Sequence, residues 1–349
     1  LMAWLLPNHY QPWLAAYQDF SMFLAALLLS IILIQQQTIR IPYFTLFFIS
    51  LTCIPLVQYF FGIIYFFGEA FTTSLYLLAF TSIFIVGFNI TELEQKKRDK
   101  ILLGFFSLVL FASIISVWIQ LRQWLLFDGN IWTVDLPPNG RPFANIAQPN
   151  QLATLLLMGI MAILYLFENN KINNFVASFT AMFLISGVAL TQSRTVWVFG
   201  GCFAIWWLFK SNRLQTRLGC TFLMFWIGVY LVILIILPYL SQFLGVYRIR
   251  DITERATTGL ERIEMWKQVW IAIQNAPFFG YGWGQLNIAQ ISISSADLNK
   301  PIFGYAHNLF LDLWIWNGFV LGTIILILIF VFLFYLAVNL KNINSIVIL

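Results

Sequence analysis

His307 is the side chain best suited to acid–base chemistry in this sequence. It is one of two histidines and precedes a long apolar run within Tyr-Ala-His-Asn. Histidine has an unperturbed pKa of about 6.5, which suits proton abstraction near neutral pH. A lone histidine is more often structural, so that alternative stays open. Asp312 lies inside the apolar run, where an acidic side chain is a functional candidate.

Arg194 is a candidate anion-binding residue. It lies in Thr-Gln-Ser-Arg-Thr, residues 191–195, between two apolar runs that almost touch. An arginine there is costly unless it is paired, faces a wet cavity or snorkels to lipid headgroups. Its planar guanidinium group donates to two phosphate oxygens at once, so the alternative to snorkelling is a bound anion.

The segment 139–151 concentrates amide side chains ahead of an apolar run. Its sequence is Asn-Gly-Arg-Pro-Phe-Ala-Asn-Ile-Ala-Gln-Pro-Asn-Gln. Pro149 is placed to start a helix, which Gln148 or Asn150 would cap. The amides exceed what one cap needs. The segment therefore predicts either a capped helix at a membrane boundary or a polar pocket that hydrogen-bonds a sugar or a phosphate.

The segment 241–305 contains an amphipathic pattern and a glycine-rich run. Thr258 and Glu261 form a capping box. Apolar residues then recur at helical spacing, at Leu260, Ile263, Trp266, Val269, Trp270 and Ile273. This pattern predicts an amphipathic helix at the membrane surface. Alternate glycines in Phe-Phe-Gly-Tyr-Gly-Trp-Gly-Gln, residues 278–285, would let the backbone approach a ligand closely.

Metal and cofactor motifs are not found in the sequence. His, Cys, Asp and Glu do not cluster at metal-ligand spacing, and neither a serine-nucleophile nor a nucleotide-binding motif occurs. Cys53, Cys202 and Cys220 are widely spaced in or beside apolar runs, so we expect buried, apolar roles for them. We expect no metal and no cofactor.

Composition indicates which elements must position these segments. The 349 residues are 60% apolar and 9% charged, with a mean hydropathy of +0.83. This composition excludes a cytosolic enzyme, a disordered protein and a nucleic-acid binder. Continuous apolar runs exclude an outer-membrane barrel. The predicted fold is an all-α, polytopic helical membrane protein with nine spans, at roughly 14–34, 41–61, 72–90, 101–119, 151–167, 174–191, 195–209, 218–240 and 306–338.

Lysine and arginine predict the orientation of these spans. The basic loops 91–100 and 210–217 should be cytoplasmic, which leaves the long connections 120–150 and 241–305 outside. Long connections tend to carry function, so we expect the chemistry on the external face. The predicted organisation is therefore as follows: spans and an external loop in 1–240, a periplasmic loop in 241–305, and a ninth span with the start of another in 306–349. We expect a truncated chain whose C-terminal part is missing.

The ordered set of segments resembles the O-antigen ligase and bacterial protein O-oligosaccharyltransferase superfamily. The matching pieces are Arg141-Pro142-Phe143 to Pro149-Asn150-Gln151, Ser193-Arg194, Arg262 with Trp266, Pro277 to Gly284, and His307-Asn308 to Gly318. They lie within residues 139–322, whereas 1–120 adds only a similar helix pattern. One departure is that the family's second small or polar residue, three after its glycine, is Leu321 here, and a glycine follows at Gly322.

The resemblance implies a membrane glycosyltransferase of the bacterial inner membrane with a periplasmic active site. A preassembled oligosaccharide would move en bloc from a polyprenyl-diphosphate lipid to a Ser or Thr hydroxyl of an exported, pilin-like protein. His307 would be the general base. The cations that stabilise the diphosphate leaving group would be Arg194, Arg262 and Arg141. The residues expected to bind substrate are Gln148, Asn150, Gln151 and Asn308.

Other functions remain open at this point. An O-antigen ligase would use a lipid A core sugar as the acceptor, and an O-antigen polymerase would use a glycan. The His-Asn motif favours the ligase and transferase side, and the motifs of 143–151 and 306–312 favour protein glycosylation. A lipid-linked glycan flippase is a different class, which a path lined by Asp312 would support. A structural subunit is a further alternative.

Overall fold

The computed structural model describes residues 1–8, 13–36, 38–127, 129–137, 140–146, 148–210, 219–246, 260–293 and 302–338. All regular elements in these ranges are α-helices, so the predicted all-α fold is confirmed. The helices are Met2–Leu5 (α1), Ala16–Ile34 (α2), Phe44–Phe60 (α3), Phe67–Thr91 (α4), Gln95–Trp124 (α5), Pro149–Glu168 (α6), Asn174–Thr191 (α7), Thr195–Lys210 (α8), Cys220–Phe243 (α9), Leu260–Asn275 (α10), Leu286–Ile293 (α11) and Leu309–Val338 (α12).

Seven of these described helices are long and apolar enough to cross a membrane, namely α2, α4, α5, α6, α7, α9 and α12. The shorter apolar helices α3 and α8 coincide with the predicted spans 41–61 and 195–209. The chain is thus a multi-pass membrane protein, as predicted, whereas the count of nine spans is not confirmed. The basic connection after α8 and the last eleven residues, 339–349, lie outside the described residues.

The described residues form two compact units. The first contains those of Leu1–Leu24 and Leu93–Asp251, and so includes α1 and α5 to α9. The second contains those of Ala25–Glu92 and Ile252–Asn339, and so includes α3, α4 and α10 to α12. The boundary falls inside α2. The predicted organisation into 1–240, 241–305 and 306–349 stays a prediction.

Local sequence explains where the helices of the first unit begin and end. Pro149 occupies the first turn of α6, where its missing N–H costs nothing. Gln148 is the N-cap residue, but its side chain makes no cap bond. Asn173 caps α7, because its carboxamide oxygen accepts from the N–H of Val176 at 2.9 Å. Gln192 ends α7 in the left-handed conformation, with φ 52°.

Small residues let α5, α6 and α7 pack closely in the first unit. A Cβ on Gly159 of α6 would overlap Ser113 of α5, and a Cβ on Gly187 of α7 would overlap Val117 of α5. Ser113 Oγ also donates to the Leu155 carbonyl of α6 at 3.1 Å. Membrane helices use small and polar residues in this way, because lipid supplies no hydrophobic drive between them.

The second unit has one buried apolar cluster that joins its helices. Phe48 of α3 shares this cluster with Val269 of α10, Leu286 of α11 and Leu313 of α12. Aromatic edges add to the contact, since Phe48 lies 5.5 Å from Phe332 between ring centroids at an interplanar angle of 89°. The ends of α10 and α12 that carry predicted site residues are therefore anchored to a common core.

Two cysteines contradict the expectation of burial. Cys53 and Cys202 are exposed on the surfaces of α3 and α8. Exposed apolar side chains surround these positions, as a helix that faces lipid requires. The surface of a membrane-spanning helix is apolar, so an apolar neighbourhood in the sequence does not imply burial inside the protein.

Candidate active site

The turn that carries His307 is tightly held although the histidine itself is exposed. His307 has φ 52°, in the left-handed region, and its side chain is exposed. The preceding residue, Ala306, is fully buried. Its N–H donates to Asp312 Oδ1 at 2.8 Å, and its carbonyl accepts from Trp266 Nε1 at 2.8 Å. The backbone before the imidazole is thus fixed from two sides.

Asn308 serves the start of α12. Its carboxamide oxygen accepts from the N–H of Phe310 at 3.1 Å, and its carbonyl accepts from the N–H of Asp312 at 2.9 Å. This is an N-cap arrangement, which satisfies donors that a helix leaves unpaired at its first turn. The substrate-binding role expected for Asn308 stays a prediction beside this structural one.

The helix that bears Arg262 is tied to the histidine turn. Arg262 is exposed in the first turn of α10. Trp266 follows it by four residues, on the same face of the helix, and makes the bond to Ala306 described above. Within the second unit, the structure therefore brings the predicted cation and the predicted base to neighbouring elements.

The amphipathic pattern of α10 is confirmed as a helix, but the buried face differs from the predicted one. Val269 and Ile273 are buried as expected, whereas Ile263 and Trp270 are 47% and 44% exposed. Other residues complete the buried stripe, namely Met265 and Ala272. Ile263 and Trp270 instead line an open groove of about 570 Å³ that also reaches Trp266 and Asn308. Thr258 of the predicted capping box and the Glu261 side chain lie outside the described residues.

The glycine-rich run contacts protein backbone at Gly280, and the expectation that the run approaches a ligand stays a prediction. Gly318 interrupts α12 with φ 74° and ψ 170°. The run fills this break, because the N–H of Tyr281 donates to the Ile315 carbonyl at 2.8 Å and that of Phe319 donates to the Pro277 carbonyl at 2.7 Å. A Cβ on Gly280 would lie 2.5 Å from the Ile315 oxygen, so glycine is required there.

Gln58 is a polar residue of the second unit that our sequence analysis missed. It is buried in α3, where its Nε2 donates to the Trp316 carbonyl at 2.9 Å and its Oε1 accepts from the N–H of Trp283 at 2.9 Å. Two residues after Trp283, the side chain of Gln285 donates a hydrogen bond to Glu69. The signal that could have revealed Gln58 is that it is a single amide within an apolar span, because a buried amide needs hydrogen-bond partners.

In the first unit, Arg141 joins the amide-rich segment to the short connection between α7 and α8, which contains Arg194. Its Nη1 donates to the Gln192 carbonyl at 3.2 Å. Gln192 ends α7, and Arg194 follows as an exposed residue immediately before α8. Two of the three predicted diphosphate-binding arginines therefore lie on adjoining segments.

Gln123 of α5 organises the amide-rich segment, and sequence analysis missed it too. Its Oε1 accepts from the N–H groups of Phe143 and Ala144 at 3.0 and 2.8 Å. Its Nε2 donates to the carbonyls of Val134 and Ala144 at 2.7 and 2.8 Å. A single buried amide thus satisfies four backbone groups of the connection between α5 and α6.

The other amide side chains of this segment do not share one site, because one is bonded to backbone carbonyls and two lie at the start of α6. The Asn145 amide donates to the carbonyls of Leu5 and Trp132, both at 2.8 Å, so it is structural. Asn150 is half-buried and Gln151 is exposed in the first turn of α6. Asn139 and Ala147 lie outside the described residues.

An apolar cleft of about 410 Å³ begins beside the connection that contains Arg194. The cleft is lined by Val196 and Trp197, two and three residues after Arg194, and the lining continues along α8 to Trp207. At 1.5 Å per helical residue, Val196 and Trp207 are about 16 Å apart along the helix. The cleft is therefore elongated, and one end lies next to a cation.

The predicted site residues divide between the two units. The first unit holds Arg141, Gln148, Asn150, Gln151 and Arg194, and the second holds Arg262, His307 and Asn308. Each unit brings its own set onto neighbouring segments. In the described part of the chain, no group of three or more His, Cys, Asp and Glu side chains is arranged to hold a metal ion.

Known protein families match the segments that carry these residues. The O-Antigen ligase family matches residues 179–327, and the Protein glycosylation ligase family matches residues 142–167. The first range contains Arg194, Arg262 and His307, and the second contains the amides that open α6. No solved structure matches the chain.

Two relatives from Acinetobacter baylyi match almost the whole chain. A general O-oligosaccharyltransferase is 33% identical over 352 residues, which cover 99% of this chain and 62% of that protein. A ComP-specific O-oligosaccharyltransferase is 33% identical over 346 residues, which cover 97% and 62%. The chain therefore spans less than two-thirds of the length of either relative. These matches agree with the resemblance in the motifs: the chain is similar to the O-Antigen ligase family over residues 179–327 and to protein O-oligosaccharyltransferases over nearly its whole length.

Proposed function

We propose that the protein transfers a preassembled oligosaccharide en bloc from a polyprenyl-diphosphate lipid to a Ser or Thr hydroxyl of an exported, pilin-like protein. The reaction would take place on the periplasmic face of the bacterial inner membrane. The strongest structural support is the Trp266 bond to Ala306, which ties the helix of Arg262 to the turn of His307. Both Acinetobacter relatives are named O-oligosaccharyltransferases.

His307 acts as the general base in this proposal. Its imidazole accepts the proton of the acceptor hydroxyl while that oxygen bonds to the anomeric carbon of the donor sugar. The bond between that carbon and the diphosphate oxygen breaks, and the lipid diphosphate leaves with the electron pair. The imidazolium then releases its proton to water. The exposed position of His307 is compatible with access by a large acceptor.

Arginines stabilise the leaving group in this proposal. Negative charge grows on the diphosphate as the glycosidic bond breaks, so fixed cations lower the barrier. Arg194, Arg262 and Arg141 supply these charges, and guanidinium groups match phosphate oxygens in pairs. The elongated cleft beside Arg194 seats part of the polyprenyl tail. The residues that bind the glycan are Gln148, Asn150, Gln151 and Asn308.

O-antigen ligation is the second candidate function. The family that matches residues 179–327 is described as O-Antigen ligase, and such an enzyme would use a lipid A core sugar as the acceptor. The donor chemistry and the roles of His307 and the arginines are the same in both cases. The acceptor alone separates the two candidates.

A test uses the full-length protein in a glycosylation-deficient bacterium that supplies a lipid-linked glycan and a candidate pilin. Mass spectrometry of the pilin and analysis of lipid A are run in parallel. Glycan on the pilin supports the proposal, and glycan on lipid A alone supports ligation. Accumulation of the donor with neither product contradicts both.

Variants then test the assigned roles. His307→Ala and Arg262→Ala should each abolish transfer while the protein remains in the membrane. The matched control is Arg40→Ala, an exposed arginine of the second unit whose ion pair with Glu92 is at the surface. Such pairs contribute about 0–1 kcal/mol, so this variant should behave like the parent. Full activity of His307→Ala or Arg262→Ala removes that residue from the mechanism.

A further inference from the structure

We propose that Asp312 and Trp266 are positioning residues for His307, acting through the buried residue Ala306. The inference rests on the proposed function, because it assigns a purpose to the geometry of the predicted base. Neither side chain has to touch substrate. Both act on the backbone that precedes the imidazole.

Asp312 holds the turn from the helix side. It is only 6% exposed, and its Oδ1 accepts from the N–H of Ala306 at 2.8 Å. Its own N–H donates to the Asn308 carbonyl at 2.9 Å. These two bonds attach the residues on both sides of His307 to one residue of α12.

Trp266 holds the same turn from α10. Its indole N–H is a donor only, and it donates to the Ala306 carbonyl at 2.8 Å. That carbonyl belongs to the peptide bond that links Ala306 to His307, so the bond sets the orientation of this peptide plane. Ala306 is 0% exposed, and water therefore does not compete for either of its polar groups.

The two anchors explain how His307 keeps an uncommon backbone conformation. Its φ of 52° lies in the left-handed region, which few residues other than glycine adopt, although histidine does so more often than most. Such conformations persist where the surrounding structure over-determines them, and they cluster at functional sites. The buried bonds of Asp312 and Trp266 provide that surrounding structure, while His307 itself stays exposed.

The variants are chosen so that each removes one hydrogen bond. Asp312→Ala removes the acceptor, whereas Asp312→Asn keeps an oxygen in the same place without the charge. Trp266→Phe keeps the ring and removes the N–H. The matched control is Trp314→Phe, because the indole of Trp314 donates to Thr323 Oγ1 at 3.0 Å, within α12, and not to the backbone of the turn.

Steady-state transfer with the full-length protein provides the first readout. Misplacement of a catalytic group by about 1 Å can cost about 100-fold in rate. Asp312→Ala and Trp266→Phe should therefore lower kcat by about 100-fold and change KM for the lipid-linked donor by less than about threefold. Asp312→Asn should restore kcat to within about tenfold of the parent, and Trp314→Phe should match the parent.

Hydrogen–deuterium exchange provides a readout that does not depend on activity. The N–H of Ala306 should exchange at least about tenfold faster in Asp312→Ala, and it should stay protected in Asp312→Asn and Trp314→Phe. An inactive parent protein contradicts the proposed function, while the exchange result still decides whether Asp312 holds the turn. An active parent with unchanged kcat and exchange in Asp312→Ala and Trp266→Phe overturns the positioning role. Equal loss of kcat in Asp312→Asn and Asp312→Ala, with Ala306 still protected in Asp312→Asn, also overturns it, because charge would then be the requirement.

Discussion

Gly318→Ala is the substitution whose effect the structure defines best. Gly318 interrupts α12 at φ 74° and ψ 170°, a region that is essentially restricted to glycine. A Cβ at this position would overlap the carbonyl of Phe278, so the glycine-rich run would have to move away from the helix. Three hydrogen bonds cross this contact, at 2.7 to 3.1 Å, and they join Phe319 to Pro277, Tyr281 to Ile315 and Gly282 to Trp316.

The expected loss of stability is the sum of two contributions. Forcing alanine into this backbone region costs about 1–3 kcal/mol. Separating the run from α12 weakens three hydrogen bonds, each of which contributes about 0.5–1.5 kcal/mol. The total is about 2.5–7.5 kcal/mol. At roughly 2 °C per kcal/mol, the apparent Tm should fall by about 5–15 °C.

Two matched glycines of the same unit separate the contributions. Gly284 has φ 79° but nothing within 4 Å of its Cβ position, so Gly284→Ala adds backbone strain alone, about 1–2 kcal/mol. Gly68 has open space and no positive φ, so Gly68→Ala should leave stability unchanged or raise it slightly. The apparent Tm of each purified variant in detergent is measured by intrinsic fluorescence.

The ranking of these three variants by apparent Tm tests whether the glycine-rich run depends on its contact with α12. The structural argument requires Gly318→Ala to lose clearly more stability than Gly284→Ala, and Gly68→Ala to lose none. Equal shifts for Gly318→Ala and Gly284→Ala would show that the run does not depend on contact with α12. A Gly318→Ala protein as stable as the parent would refute the account of the break altogether.

Two further predictions concern the first unit. Gln123→Ala should leave the buried N–H groups of Phe143 and Ala144 unpaired and cost about 2–5 kcal/mol; limited proteolysis after α5 should speed up, and Gln123→Glu, which keeps the acceptor, should lose less. Gly187→Ala should cost about 1–3 kcal/mol by overpacking against Val117, and adding Val117→Ala should recover part of that loss in a double-mutant cycle of apparent Tm values. An additive double mutant would contradict the contact.

The apolar runs and boundary residues allowed most helices to be predicted. Runs of apolar residues indicated α2, α5, α6, α7, α9 and α12, because a chain in lipid must satisfy its backbone hydrogen bonds internally and helices do so locally. Pro149 correctly marked the start of α6. Burial was harder to predict, as Cys53 shows, because both the lipid-facing and the protein-facing surfaces of such helices are apolar.

The chemistry-bearing residue types were also readable, whereas their partners were not. His307 and Arg194 stood out because polar residues are costly in an apolar chain. The glycine-rich run was recognised as a close-approach segment, but its neighbour was expected to be a ligand. Gly280 meets the carbonyl of Ile315 in α12, and Ile315 lies 35 residues further along the chain. No local pattern specifies that partner.

The sequence by itself thus determined the helical membrane fold, the superfamily motifs and the residue types available for catalysis. Only the tertiary structure decided which side chains hold these segments: Gln123 for the amide-rich segment, and Asp312 with Trp266 for the turn of His307. The physical reason is the range of the interactions. Helix formation and capping depend on neighbours within four residues, whereas a buried hydrogen bond joins whichever distant segments the packing brings together.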